Sequence, residues 1–391
     1  MRLQRRKRSA ASCVCAIGLA LSFLALLTAV GTGGANAATD LPLTAAIETH
    51  ADSWAVLPMG QFGSLVNTFW QLLHAAPGSS DWVVVTPEGV ADNGGLVAAA
   101  GLATASTMVG FLPSQLLRYS PLSVTTDAGR TWSPAFLPGA LAARPNGLAS
   151  GPRDSLAIVG AAVLHRPSNS PTWSRLVTLA TLRRFAPQCA AAALDAVAVT
   201  STDAVLVGVA CRGRFGLFTA SSGKWQLNGA TLPGDWRGAN TTILRLQAGD
   251  TEATALATAT REGHQALFAL SQTGSGTWQV SAPLSIAADS SVRATAADFG
   301  GALSVLVGSK ESESVAEITP SGTWVTLPAP PRGALGLAWV RPDMTSSAAT
   351  SLDAFTVVGG TNLHVFTLPP GGGKWVAAQT LQVPLPYGSS S

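Results

Sequence analysis

The chain predicts an all-β fold, a seven-bladed β-propeller of four-stranded antiparallel blades after an N-terminal signal peptide. Three observations predict it. Seven tryptophans, Trp82, Trp132, Trp173, Trp225, Trp278, Trp324 and Trp375, each follow a cluster of turn residues and recur at intervals of 41–53 residues, the period at which propeller blades repeat. Between them lie short apolar runs parted by turn residues, four to a unit. Helical periodicity is absent beyond the first 37 residues.

The N-terminus carries a targeting pattern. Arg2, Arg5, Arg6, Lys7 and Arg8 make a basic segment, an apolar run extends from Cys13 to Val30, and Ala35-Asn36-Ala37 is a small-x-small cleavage signal. Residues 1–37 are therefore expected to be a signal peptide cut before Ala38, and the protein to be secreted or held in the cell envelope. The alternative is an uncleaved anchor, because the run is just long enough to span a bilayer; a membrane enters the reading only by that route. Five of the chain's 24 basic residues lie in the first eight positions and no acidic residue precedes Asp40, so residues 38–391 carry 19 basic and 21 acidic side chains, a net charge of −2. That balance gives no basic stripe for nucleic acid. Residues 38–387 are expected to form the propeller, and the Gly/Ser-rich 388–391 a flexible tail. The chain is expected to be a monomer.

The units follow in order. The first contains "SWAVLPMG" and "TFWQLLHAAPGSSDW"; its innermost strand comes either from "LTAAIETH" or, as a ring closure, from the C-terminal "LQVPLP". The unit from Trp132 to Trp173 is short, so six or eight blades are the alternatives to seven. The unit ending near Trp225 reads as four strands, "LDAVAVTS", "AVLVGVAC", "RFGLFTA" and "KWQLNGATL". The next has "TALATAT", "HQALFALS" and "TWQVSAPL", a later one "ALSVLVGS", "SVAEITP" and "TWVTLPA", and the last "DAFTVVGG", "LHVFTLP" and "KWVAAQT". Two cysteines lie beyond residue 37, Cys189 and Cys211, near opposite ends of a hairpin that turns at "TSTD". In an exported chain they are expected to form a disulfide, a closure that stabilises by about 3 kcal/mol.

One tryptophan cluster is more specific than the rest. Thr125-Thr126-Asp127-Ala128-Gly129-Arg130-Thr131-Trp132 resembles an Asp-box, or BNR repeat, of the pattern Ser/Thr-x-Asp-x-Gly-x-Thr-Trp found in sialidase-like and related β-propellers. The match is complete over these eight residues; the other six clusters keep Trp and mostly Gly but lose Asp. The resemblance implies a turn between the third and fourth strands of a blade, at the blade periphery, with Thr125, Asp127, Gly129, Thr131 and Trp132 in structural roles. The residue types suit that turn. An Asp carboxylate accepts local backbone N–H bonds, Gly supplies a positive φ, and Trp buries a large area.

A sialidase also needs three arginines around a carboxylate, a Tyr nucleophile supported by Glu, and an Asp acid/base. After the signal the first arginine here is Arg118, and the only tyrosines are Tyr119 and Tyr387, so no sialidase active-site residue is transferred. No GxSxG, HExxH or DxDxDG occurs, and no catalytic residue, metal or cofactor is assigned. In a propeller, ligands meet the loops joining one blade's last strand to the next blade's first, together with the loops between second and third strands. The candidate ligand-binding residues there are Asp235, Trp236 and Arg237 in "GDWRG", which could stack on a sugar and hydrogen-bond its hydroxyls, and the pair Arg183 and Arg184, which could meet an anion. Arg332 lies in an equivalent loop. The expected function is a non-catalytic binding or scaffold module for a protein or polysaccharide ligand. The alternative is a carbohydrate-active hydrolase, sialidase-like or another glycosidase, using carboxylates in the central funnel.

Overall fold

The computed structural model describes residues 44–48, 52–60, 68–77, 79, 81–87, 98–103, 106–111, 122–133, 141, 143, 145–200, 204–221, 224–248, 252–273, 276–297, 302–309, 312–319, 321–340 and 350–383. The chain divides after Leu41, and every described residue belongs to the second unit, Pro42–Ser391. The expected signal peptide and tail lie outside the described residues.

In chain order the strands form successive antiparallel meanders. The first is β1 (Thr44–Glu48), β2 (Ser53–Gly60), β3 (Thr68–Ala75) and β4 (Trp82–Val84); the second is β5 (Ala98–Ala103), β6 (Ser106–Gly110) and β7 (Leu122–Thr125); the third is β8 (Gly147–Ser150), β9 (Asp154–Val159), β10 (Ala162–Pro167) and β11 (Ser174–Thr178). Helix α1 (Leu179–Phe185) follows. The fourth meander pairs β12 (Leu194–Val199), β13 (Val205–Val209), β15 (Gly216–Ser221) and β16 (Lys224–Leu227), with the two-residue β14 (Cys211–Arg212) leaving it to pair the next sheet. That fifth sheet holds β17 (Asn240–Ala248), β18 (Glu252–Arg261), β19 (His264–Thr273) and β20 (Thr277–Val280), and β21 (Leu284–Ile286) also pairs β19. Then come β22 (Ser291–Ala297), β23 (Leu303–Gly308), β24 (Glu313–Ile318) and β25 (Trp324–Thr326), and last β26 (Ala334–Val340), β27 (Ser351–Val358), β28 (Asn362–Leu368) and β29 (Val376–Gln382). A parallel pairing of β1 with β22 joins the first and sixth meanders into one eight-stranded sheet.

The cores explain why these strands are apolar on both faces. One cluster joins Trp54, Val56, Trp70 and Leu72 to Val109 and Phe111 of the second meander. The next joins Met108 and Leu122 to Ala157 of the third. Leu156 and Ile158 then pack with Val197 and Val207 of the fourth, Ala196 and Leu206 with Ile243 and Phe268 of the fifth, and Leu256 and Leu267 with Leu303 and Val305 of the sixth. The last cluster returns to the start, combining Ala296 and Leu306 with Leu337 and Phe355 and with Leu57 and Leu73. Each sheet thus packs on its neighbours and the last on the first. This is the architecture of a β-propeller type of fold, nearly all β, built largely of four-stranded antiparallel sheets. Close approach also explains the Ala- and Gly-rich strands. A Cβ on Gly336 would stand 2.1 Å from Leu57 Cδ2, and one on Gly208 2.9 Å from Ile243 Cγ2, distances that a side chain cannot occupy.

Six of the repeating tryptophans lie at or just before the start of an outermost strand, and several of the seven, Trp132 among them, cross to a neighbouring sheet. The indole Nε1 of Trp132 donates to Val85 O (2.9 Å), that of Trp324 to Ala282 O (3.1 Å) and that of Trp375 to Pro328 O (3.0 Å). Each acceptor lies three or four residues past the repeat tryptophan of the preceding sheet. Trp82, in the first sheet, instead donates to Asp353 Oδ2 of the last (2.8 Å). The repeat therefore fastens sheet to sheet as well as closing its own hairpin. The innermost strand of the first meander comes from "LTAAIETH", as β1, while the start of "LQVPLP" ends β29.

Candidate functional site

Strand alternation puts two kinds of link on one end of the sheets: the connections from one meander to the next, and the turns between second and third strands. In three places the structure ties these links together. The first tie is the disulfide Cys189–Cys211, with Cα atoms 4.9 Å apart. It fastens the connection after α1 to the turn after β13. Thr178 caps α1, its Oγ1 accepting the Thr181 N–H at 3.1 Å. Arg183 and Arg184 occupy the last turn of α1 rather than an irregular loop, both exposed. Arg183 Nε donates to Ala191 O at 2.6 Å, so this side chain holds the backbone beside Cys189.

The second tie carries "GDWRG". Gly234–Trp236 is one turn of 3₁₀ helix. The Arg261 guanidinium, from the end of β18, donates to the carbonyls of Asp235 and Arg237. The side chains of Asp235 and Arg237 are exposed, whereas Trp236 is half-buried, its ring edge-on to Phe268 with centroids 6.0 Å apart. Its indole is thus partly committed to the core rather than offered whole to a ligand. Arg212 Nε reaches Gly238 O (3.4 Å) and Gly213 N donates to Ala239 O (2.8 Å). These bonds link the GDWRG loop to β14 and, through the disulfide, to α1. The two sequence-predicted sets therefore sit on one continuous surface. Arg212, Arg214, Arg261 and Phe185 belong to it and were not singled out from the sequence; for the three arginines the usable signal was their position in or beside the turns between second and third strands.

The third tie lies beside Arg332. Arg293 NH1 meets Glu313 Oε1 at 2.8 Å, and Glu313 Oε2 accepts from Gly333 N (2.8 Å) and Ala334 N (3.2 Å). These groups, with Ser309, Ser312, Pro330 and exposed Arg332, line a 340 Å³ cleft open to solvent. Both charges of its ion pair are already matched, so the cleft offers hydroxyls, backbone and one further guanidinium.

Elsewhere the ionisable groups serve contacts between sheets. Asp195 Oδ2 accepts the Ile243 N–H at 2.9 Å, and burial pushes its pKa up to about 7 against that bond. Asp353 accepts from Trp82 Nε1 and, at 2.6 Å, from Thr367 Oγ1; burial pushes it up to about 6. Arg245 is buried, its NH1 3.2 Å from Thr295 Oγ1, and burial lowers it to about 10. Among the described residues, no group of three His, Cys, Asp or Glu side chains is placed to hold a metal ion.

The turn at Thr125–Trp132 lies at the opposite end. Asp127 Oδ1 accepts from Thr125 Oγ1 (2.8 Å) and Thr131 N (2.9 Å), and Oδ2 accepts from Thr131 Oγ1 (2.6 Å). Thr125 Oγ1 in turn accepts from Gly129 N at 3.0 Å, with Gly129 at φ 79°. The Thr131 bonds, more than any charge, hold the Asp127 carboxyl below the usual carboxylate range.

No protein-family model matches this sequence, and no curated protein matches it. Solved structures do resemble it. A candidate 6-phosphogluconolactonase from Bacteroides fragilis superposes with a TM-score of 0.50 at 10% identity, over 85% of this chain and 96% of that one. A counterpart from Bacteroides uniformis gives 0.48 at 12% identity, over 86% and 98%. The Aleuria aurantia lectin bound to α-methyl-L-fucoside gives 0.39 at 14% identity, over 75% and 96%. The first of these supports a shared propeller-type fold and, at its identity, nothing about activity.

Proposed function

We propose that the chain is an exported, monomeric seven-bladed propeller that acts without catalysis as a binding module for a protein or polysaccharide. The seven blades follow from taking the eight-stranded sheet as two meanders joined by the β1–β22 pairing. The second blade has three strands among the described residues, and Ser133 N donates to Val124 O where its fourth would begin. Thr125–Trp132 reads as an Asp-box turn, supported by the bonds around Asp127.

The observation that carries the binding reading is the cross-tying of the connections at one end. A disulfide, the Arg261 guanidinium and the Glu313 carboxylate each fasten a connection between meanders to a turn between second and third strands. Exposed Arg184, Asp235, Arg237 and Arg332 are borne on that fixed backbone. A surface ordered before the ligand arrives avoids part of the entropy cost of association. The hydrolase alternative would draw on a raised-pKa carboxylate such as Asp195, but its oxygen is engaged by Ile243 N at the interface of two sheets.

The test presents the full chain to a panel of host and bacterial-envelope polysaccharides and proteins, sizing every glycan by mass spectrometry. Retention of an intact ligand is expected. Shortened glycans would instead make this an enzyme, with Asp195→Asn the variant to assay next.

A further inference from the structure

We propose that the arginine-rich surface spanning α1, β14 and the GDWRG loop binds a polysaccharide bearing carboxylates, a polyuronate in chemical class. This rests on the binding-module reading and names its ligand. Six arginines gather there: Arg183 and Arg184 on α1, Arg212 and Arg214 between β13 and β15, Arg237 before β17, and Arg261 at the end of β18. Structural contacts make them one patch. Arg183 holds Ala191, the disulfide joins that segment to Cys211, Arg212 reaches Gly238, and Arg261 clasps Asp235 and Arg237. The carboxylates interspersed on these segments are Asp235 and Glu262, both exposed. Six cations against two anions give a formal charge of +4, on residues 38–391 whose own net charge is −2. The cationic charge is concentrated at this end of the two sheets.

The way the guanidinium groups are held matters as much as their number. Arg183, Arg212 and Arg214 donate to backbone carbonyls, of Ala191 at 2.6 Å, Gly238 at 3.4 Å and Gly229 at 2.6 Å. A carbonyl fixes the side chain's direction without cancelling its charge, and a guanidinium keeps further N–H groups for a ligand. Among the described residues their one carboxylate partner is Glu262 on Arg261, at 3.2 Å on an exposed pair, where solvent screens the attraction. Planar carboxylates suit such forks, which bind them through paired N–H bonds. Beside Arg183 and Arg184, the Phe185 ring is 49% exposed, an apolar face against which a sugar ring packs. The arginines come from separate links strung along the surface, which suits an extended polymer over one small anion. Nucleic acid fits less well, because its dense phosphate charge would extend beyond the patch over a chain of net negative charge.

Polygalacturonate is the probe, immobilised and offered the full chain, with neutral dextran and single-stranded DNA alongside. Retention on polygalacturonate is expected, falling at least about tenfold as salt is raised from about 50 to about 500 mM. Arg184→Glu with Arg237→Glu should weaken it by at least about tenfold at unchanged Tm, since neither side chain bonds to a described residue. Arg212→Gln with Arg261→Gln, which keeps polar atoms near those carbonyls, should weaken it as well. Lys374→Glu, at the opposite end, should bind like the parent. Parent-like binding by the Arg184/Arg237 variant, preference for DNA, or no retention on polygalacturonate would each overturn the proposal. In the last case, retention of dextran or of a protein would leave the binding-module reading standing, and retention of neither would remove both.

Discussion

Asp127 and Asp195 are both aspartates, yet they respond to pH in opposite senses. Asp127 is held ionised by Thr131 and Thr125, so what it contributes to its turn is present at neutral pH and fades as pH falls through its lowered pKa. Asp195 and Asp353 are pushed up by burial to about 7 and about 6, above the roughly 4 of an unfolded Asp. Their protonated forms favour the folded state. That contribution is complete below about pH 4 and is lost as pH rises through 6 to 7. Asp195→Asn keeps an oxygen for the Ile243 N–H and cannot ionise. It is expected to raise Tm at pH 8, by about 2–4 °C for each kcal/mol relieved, and to change little at pH 4; an equal effect at both pH values would exclude ionisation as the cause. Trp82→Phe removes the indole donor from Asp353. Leaving a buried acceptor short of a donor costs about 1–3 kcal/mol, measurable by denaturant unfolding. Trp82 and Asp127 could be picked out of the sequence by their spacing. The acceptors of the Trp82 and Trp132 indoles, Asp353 and Val85, could not, because bonds between sheets join residues that no local pattern relates.

At the scale of elements, the four-run reading of the later units matches the strands closely. "LDAVAVTS" contains β12, "AVLVGVAC" contains β13, and "LHVFTLP" lies almost wholly within β28. Apolar residues bounded by turn formers are enough to specify such strands, because both faces are covered. The exceptions are short and settled by tertiary contacts. Helix α1 is seven residues long, too brief for a helical period to stand out, and it forms on a cap at Thr178 and burial of Leu179 and Leu182. Strands β14 and β21 have two and three residues and exist by pairing with the fifth sheet. The disulfide could be anticipated from the two cysteines around one hairpin; that it ties the connection after α1 to the turn after β13 could not. Cys189→Ser with Cys211→Ser is expected to cost about 3 kcal/mol and to loosen α1 against β14. The check is thermal unfolding of parent and variant, with amide exchange at 183–192. Unchanged exchange there would confine the bridge to global stability.

For the whole molecule, the ring of packed sheets sets what the surface can do. Each connection crosses from one sheet to its neighbour, so charges separated by many residues in sequence meet at one end. Arg183 and Arg261 are brought onto one surface in this way. The sequence showed Arg183, Arg184 and the GDWRG loop as separate candidates, because each is a local feature. Their union with Arg212, Arg214 and Arg261 appears only when β14 pairs with β17 and the disulfide closes. The proposal makes this end of the sheets the recognition surface, from which the ligand leaves intact. The most direct measurement is the amide-exchange footprint of the full chain with and without polygalacturonate, with the polymer sized afterwards. Slowed exchange is expected at 183–192, 211–214, 234–240 and 261–264, with a polymer of unchanged length. Slowed exchange confined to the turns at 125–132 and 369–375, or a shortened polymer, would contradict it.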